Sequence, residues 1–551
     1  MKRSVLLPPA LLCAFLPLLG GQAPWETPAR SIAAERILAH TRVLASDEFE
    51  GRAPGSPGEE KSVAYLAEQF RSMGLQPGGS GGSWTQDVPI VGVTSDVALS
   101  LADSPGGGFR PLAFPADFVA WSPRLEPSVA AADSELVFVG HGVTAPEFQW
   151  DDFKGTDVRG KTLLILVNDP QVPDPRDPGK LDPRVFKGNA MTYYGRWSYK
   201  FEEAARRGAA AAIIIHETKA AAYPWFVVVN SWSRERFGLQ GSTEPTVPLA
   251  GWMHLDQARR VLAANGSTYE KAVAAASRRD FRPIPLKQRV AFSSRQTVRP
   301  VRSRNVFAAL PGSDRRLRDD WLIYTAHWDH LGRNPKLDGD GIFNGAADNA
   351  IGAAGLLEIA RAFATAPVRP KRSVLFLSVT AEEQGLLGAR YYASRPVHPL
   401  ARTVANINID GLNPWGRTSD LRQIGQGSST LDEVLLATAK ARGRTVLPDA
   451  HPERGTFYRS DHFEFMKQGV PAIYINPGGH FLGKPAGYGE SKLAEYIDRD
   501  YHKPSDEVKP DWDLSGAVED LQVLMETGWR VADAHRMPAW KPGSEFHRER
   551  P

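Results

Sequence analysis

The side chains with the clearest chemical potential are two histidines and four acids spread over five segments. His327 follows the apolar run 322–326, Asp410 closes the run 404–409, and Glu382-Glu383 come just after the run 374–379. Asp348 sits in Asn344-Gly345-Ala346-Ala347-Asp348-Asn349, and His502 in Tyr501-His502-Lys503-Pro504-Ser505-Asp506-Glu507. Taken singly, each reads as a helix cap or a solvated loop residue. At the same end of one sheet, burying these acids together without a cation is severely unfavourable. Two imidazoles with three carboxylates suit Zn²⁺, and one shared carboxylate leaves each of two ions three protein ligands and room for water. Adjacent glutamates at a strand end point in different directions, so one can bind metal while the other serves as general base towards water. Asp329, two residues past His327, is placed to accept the second N–H of that imidazole.

The elements that must position these groups can be read from periodicity. Strands at 322–326, 374–379, 404–409 and 472–475, with a helix over 352–363, predict an α/β fold: a mixed, largely parallel sheet flanked by helices, with ligands at the carboxyl ends of its strands. Upstream, 31–45 and 59–73 have helical spacing. The Gly-rich connector 78–82 matches G-x-S-x-G, but no strand enters it and no helix leaves it, which argues against a serine nucleophile. Between 114 and 285 the pattern changes to short strands (136–139, 162–167, 211–215) and one clear helix (201–207), the reading of an inserted β-rich module. Residues 278–304 read as a polar, Pro-containing return, Asp338-Gly339-Asp340 as a turn, and the stretch after Pro538 as a frayed tail.

A chain of 551 residues has room for two to four domains. With 42% hydrophobic and 23% charged residues and a formal charge of +3, it has ordinary globular composition. Its short basic clusters, such as Arg278-Arg279 and those within 299–304 and 315–318, lack interleaved aromatics, so no nucleic acid partner is expected. Met1-Lys2-Arg3, the apolar run 5–19 and the small residues that follow read as a secretory signal peptide, which predicts a secreted or periplasmic protein. The run is shorter than the ~20 residues of a spanning helix, and no membrane span is expected in the mature chain. The single cysteine, Cys13, lies inside this signal, so disulfides are not expected and any metal site must use His, Asp and Glu.

Six stretches in order resemble the M28 zinc peptidases: Thr325-Ala326-His327-Trp328-Asp329-His330, 344–349, Thr380-Ala381-Glu382-Glu383-Gln384-Gly385, Asn408-Ile409-Asp410, Ser460-Asp461-His462 and 501–506. The resemblance implies that His327 and Asp410 bind one zinc, that Glu383 and His502 bind the other, and that Asp348 bridges them. It further implies Glu382 as general base and Asp329 as the orienter of His327. Gly140-His141-Gly142 and the helix–strand 201–216 resemble a protease-associated (PA) domain, which implies an insert that influences substrate access rather than chemistry. Ile351 stands where relatives commonly have Ser. Phe457, Tyr458 and Arg459 are candidate substrate-binding residues, and His462 is read as structural. The expected organisation is a signal peptide at 1–23, an N-terminal part of the peptidase domain at 24–113, the PA-like insert at 114–290, the catalytic domain at 291–540 and a flexible tail at 541–551. The expected function is a secreted zinc exopeptidase, an aminopeptidase acting on peptides with two zinc ions per chain. Its rivals are a carboxypeptidase-like or dipeptidase-like enzyme on the same site, and a non-catalytic binding protein on this scaffold. A single-zinc cyclotransferase is disfavoured by the complete bridging-type set.

Overall fold

Strongly apolar runs become the central strands because a strand covered on both faces has no polar side to present. In the computed structural model, which describes residues 23–547, Thr403–Asn408, Trp321–His327 and Ser373–Val379 lie side by side and parallel, with Ala472–Pro477 beyond them. Almost every residue of the first three strands is buried, and the middle of Ala472–Pro477 is too. His327 pairs with Val379 and Thr325 with Asn408, so the chain leaves these neighbouring strands at one edge, at His327, at Thr380-Ala381-Glu382 and at Ile409-Asp410. The helix Ile351–Ala364 is apolar nearly all round and sits in the core between the sheet and the helices Ala34–Leu44 and Ser515–Asp533. The helix Pro57–Ser72 starts where Ser56 accepts the Glu59 backbone N–H, an ordinary N-cap.

Beyond Ser373–Val379 the sheet continues through one long strand, Ile284–Leu310, into a second set of parallel strands: Ser128–Phe138, Thr162–Leu166, Ala211–His216 and Leu249–His254. This second region has its own apolar layers. One packs Leu136, Leu164 and Ile213 against the helices Leu255–Ala264 and Tyr269–Ala276, and the other packs Val137, Ile214 and Trp252 against Trp197–Arg206 and Trp225–Trp232.

Several expectations are corrected here. Residues 278–304, read as a polar return, fall largely within a 27-residue strand, Ile284–Leu310. Its inward positions Leu286, Gln288, Val290, Phe292 and Ser294 alternate as a strand requires, but the two buried polar members blur the pattern. The stretch expected to hold one helix holds five, from Trp197–Arg206 to Tyr269–Ala276. The strand Thr85–Ala102 pairs with the long strand over its whole length and contributes Leu99 and Leu101 to the second core, so that core recruits residues well before 114. Residues up to 547 of the expected tail are docked: Trp540 Nε1 donates to Gly469 O (3.0 Å), and the Phe546 ring lies 5.6 Å from Phe457. The expected signal peptide lies outside the described residues except for Ala23, as do 548–551. No helix among the described residues is long and apolar enough to cross a membrane.

Candidate metal centre

Two buried groups outside the acidic set fix the loops that carry it. Arg52 reaches under the site with its guanidinium fully enclosed and donates to four carbonyls: Trp328 O (2.8 Å), Leu44 O and Asn344 O (2.6 Å each) and Gly345 O (2.9 Å). It thereby ties the end of the Trp321–His327 strand to the loop of Asp348. Burial lowers its pKa only to about 10, so it stays cationic among the acids. Asp506 accepts the backbone N–H groups of Ala347 (3.0 Å) and Asp348 (3.1 Å), which fixes the same loop from the other side. Gly345 has φ +56°, and a Cβ there would collide with the Asp348 carbonyl and the His330 ring, so this turn requires glycine.

On this frame the predicted residues come together. His327 Nε2 lies 3.3 Å from Asp410 Oδ1, 3.5 Å from Asp348 Oδ1 and 4.0 Å from Glu382 Oε2. His502 Nε2 lies 3.2 Å from Asp348 Oδ2 and 3.2 Å from Glu383 Oε2, yet it makes no hydrogen bond and is buried. Asp348 therefore turns one oxygen to each histidine. Among the described residues, the metal-capable atoms of His327, Asp348 and Asp410 lie within 4.8 Å of one another, as do those of His330, Asp348 and Glu383. His330 was not singled out from sequence. It is fully buried, and its Nδ1 lies 2.7 Å from Glu383 Oε1, so that glutamate is gripped on one oxygen by His330 and faced on the other by His502. The available signal was a second histidine three residues past the first, which alone does not separate ligand from support.

Asp329 differs in detail from its expected role. His327 Nδ1 is 3.1 Å from the Asp329 backbone carbonyl and 3.7 Å from its carboxylate, and Oδ1 instead accepts the Glu382 N–H at 3.0 Å. The residue thus orients the imidazole through its main chain and the following Glu382 through its side chain. The two glutamates are pushed apart in acidity. Burial, with the carboxylates of Asp410, Glu383 and Asp461, raises the Glu382 pKa well above the ordinary value against the pull of His327. Burial also opposes ionisation of Glu383, but the His502 and His330 imidazoles overcome it and hold its pKa well below the ordinary value. A pair separated in this way offers one proton carrier and one permanent anion. The acids raise His502 to about 10 against burial, and a divalent cation placed there would displace that proton.

Asp348, Glu382, Glu383 and Asp410 face a cavity of about 590 Å³ whose wall includes Arg459 and Tyr501. Phe457 and Tyr458, expected to line the pocket, instead pack with Phe463, Tyr193 and Phe546 in an aromatic cluster behind it. Arg459 does reach the wall, where it donates to Ala221 O (2.9 Å) and lies 5.1 Å from the Tyr223 ring.

Residues 305–525 match the family model described as Peptidase family M28. Over this stretch the chain is similar to peptidase family M28. Within the matched stretch lie all the acids of the cavity floor, together with His327, His330 and His502. A probable zinc metalloprotease of Pyrenophora teres f. teres is 38% identical over 111 residues, covering 20% of this chain and 23% of that protein. A vacuolar membrane protease of Sclerotinia sclerotiorum is 31% identical over 135 residues, covering 24% of this chain and 12% of that protein. The chain thus spans a quarter or less of the length of these curated relatives. Among solved structures, an aminopeptidase from Aneurinibacillus sp. strain AM-1 shares the fold over 95% of this chain and 98% of its own, with TM-score 0.54 and 20% identity. A peptidase M28 precursor from Shewanella amazonensis SB2B does so over 94% and 97%, with TM-score 0.50 and 17% identity. The fold shared with these proteins therefore extends over the second sheet region as well as the first.

Proposed function

We propose that the chain is a zinc-dependent exopeptidase, an aminopeptidase that removes N-terminal residues from peptides with two zinc ions per chain. The observation that carries this reading is the Asp348 carboxylate, shared between His327 at 3.5 Å and His502 at 3.2 Å. The donor set fits zinc: imidazole nitrogens and carboxylate oxygens, with a buried His502 Nε2 that has acidic oxygens beside it and no hydrogen bond. His327 and Asp410 would hold one ion, Glu383 and His502 the other, and Asp348 both. When bound, the ions supply Lewis acidity and lower the pKa of water towards neutrality. Glu382, with its raised pKa, takes a proton from the attacking water and returns it to the amine as the peptide C–N bond breaks. Asp329 keeps Glu382 in place through the backbone bond.

Action at the amino end is supported by the fold shared with an enzyme named as an aminopeptidase. A carboxypeptidase or dipeptidase reading draws on Arg459, whose Nε has no partner in the cavity wall although its other end is tied to Ala221. We read residues 114–290 as a PA-like insert bordering that wall, and the charged-then-apolar opening of the sequence as support for export to the periplasm or medium. Hydrolysis of aminoacyl-p-nitroanilides and of N-blocked dipeptides, each with and without chelator, tests the reading alongside zinc analysis. Two zincs per chain and chelator-sensitive cleavage of the anilides are expected. Cleavage of the blocked dipeptides alone would move the assignment to the carboxyl end. Less than one zinc with no chelator-sensitive cleavage would leave a binding protein.

A further inference from the structure

The two candidate zinc-facing imidazoles are oriented by different parts of the chain. His327 has its Nδ1 beside a carbonyl two residues away in its own loop. His502 has no such local partner. Its Nδ1 lies 2.8 Å from Ser231 Oγ, 271 positions away on the helix Trp225–Trp232 of the second sheet region, and its carbonyl accepts Asn230 Nδ2 at 2.9 Å. With Nε2 turned to Asp348 and Glu383, the ring can present a lone pair there only if Nδ1 carries the hydrogen, and Ser231 Oγ is the acceptor placed to hold it.

The contact is built rather than incidental. Ser231 is buried on the same helix face as Val227 and Val228, which anchor the helix in the second core. His502 itself has φ +57°, a left-handed conformation that a histidine keeps only when its surroundings impose it, and Asn230 grips that residue's own carbonyl. Flanking contacts pin the helix and the segment just beyond it to the rest of the centre. Lys503 Nζ lies 3.7 Å from the Phe226 ring, and Arg234 donates to Leu331 O while stacking 4.2 Å from the Phe343 ring.

We propose that Ser231 is the positioning residue for His502, so that the second sheet region completes the metal centre instead of merely bordering its entrance. The inference rests on the two-zinc reading above, and its test separates the two. Zinc is withdrawn from the intact protein by graded competition with a chromophoric chelator, and the occupancy of each ion is followed. In Ser231→Ala one of the two ions should be held about 10–100-fold more weakly, the usual cost of losing such a partner, with the other unchanged. Ser231→Thr, which keeps the hydroxyl, should hold both, and the melting temperature of metal-stripped Ser231→Ala should match the parent. Wild-type affinity for both ions in Ser231→Ala, or equal weakening in the Ala and Thr variants, would overturn the proposal. If Ser231→Ala does not fold, Asn230→Ala decides: a smaller loosening of one ion is expected, and none would refute it. A parent protein that binds fewer than two ions would refute the two-zinc reading instead.

Discussion

The two sheet regions place titratable side chains at the same structural position, just past the ends of parallel strands, and treat them in opposite ways. In the second region His141, Asp169 and His216 follow the strands as His327, Glu382 and Asp410 do in the first. There each is answered locally. His141 Nδ1 meets Asn168 O at 2.8 Å, Asp169 accepts from the Thr192 backbone and hydroxyl at 2.6 and 2.9 Å, and His216 Nε2 meets Tyr223 O at 3.1 Å. The buried ammonium of Lys200 supplies the positive charge against Asp169 and Asp152, and burial lowers its pKa to about 8. In the first region the acids face one another and two imidazoles across a cavity, and the buried Arg52 guanidinium beneath them is spent on loop carbonyls. The second region thus sets a built-in ammonium directly against its buried acids, whereas the first leaves its acids facing imidazoles across the cavity.

Removing each source of balance should expose that difference. The largest effect is expected from Glu382→Gln, which keeps the charge-balancing ligands and takes away only the proton carrier. Turnover should fall by about 10²–10⁴ with both zincs retained, read from kcat and metal analysis on one preparation. Near-normal kcat would remove Glu382 from the chemistry. Lys200→Met should do the converse: lose about 3–5 kcal/mol of stability in urea unfolding by stranding two buried acids, while the folded protein keeps its zinc content. If stability barely changes, the internal cation is not what balances the second region.

The smallest expected effect is an acid dependence. Burial lowers His462, beside the first region's cavity, to about 3, so it stays neutral in the fold while the unfolded chain takes up a proton near pH 6.5. Its contribution to stability is therefore complete above that pH and is lost as pH falls towards 3, by up to about 1.4 kcal/mol per pH unit. His462→Phe should flatten the fall between pH 7 and 5 by that amount in urea unfolding. An unchanged slope would mean that the ring is protonated in the folded protein.

The first region was legible because its strands are mostly apolar runs broken by only a few small polar residues such as Ser378, Asn406 and Asn408. The expected 374–379 and 404–409 lie within a residue of Ser373–Val379 and Thr403–Asn408, and the acids follow directly in sequence. The second was less legible because its longest strand alternates with buried Gln288 and Ser294, and because its helices are short. Phe457 and Tyr458 were misplaced for a different reason: adjacency to a motif says nothing about which side of the chain an aromatic ring takes. His330, Arg52 and Ser231 escaped notice because their importance lies in what they touch. Ser231 is an unremarkable serine in an apolar helix until it is seen 2.8 Å from an imidazole encoded 271 residues later.

The long strand Ile284–Leu310 has a mechanical consequence. It is laced to Thr85–Ala102 through 18 successive residue pairs, and to Ser128–Phe138 at one end and Ser373–Val379 at the other. Clamshell closure usually bends at a few loop residues. Here a continuous backbone spar crosses the junction, and swinging one half against the other would shear its ladder. Access to the cavity is thus left to the loops around its mouth, set against a stiff chassis.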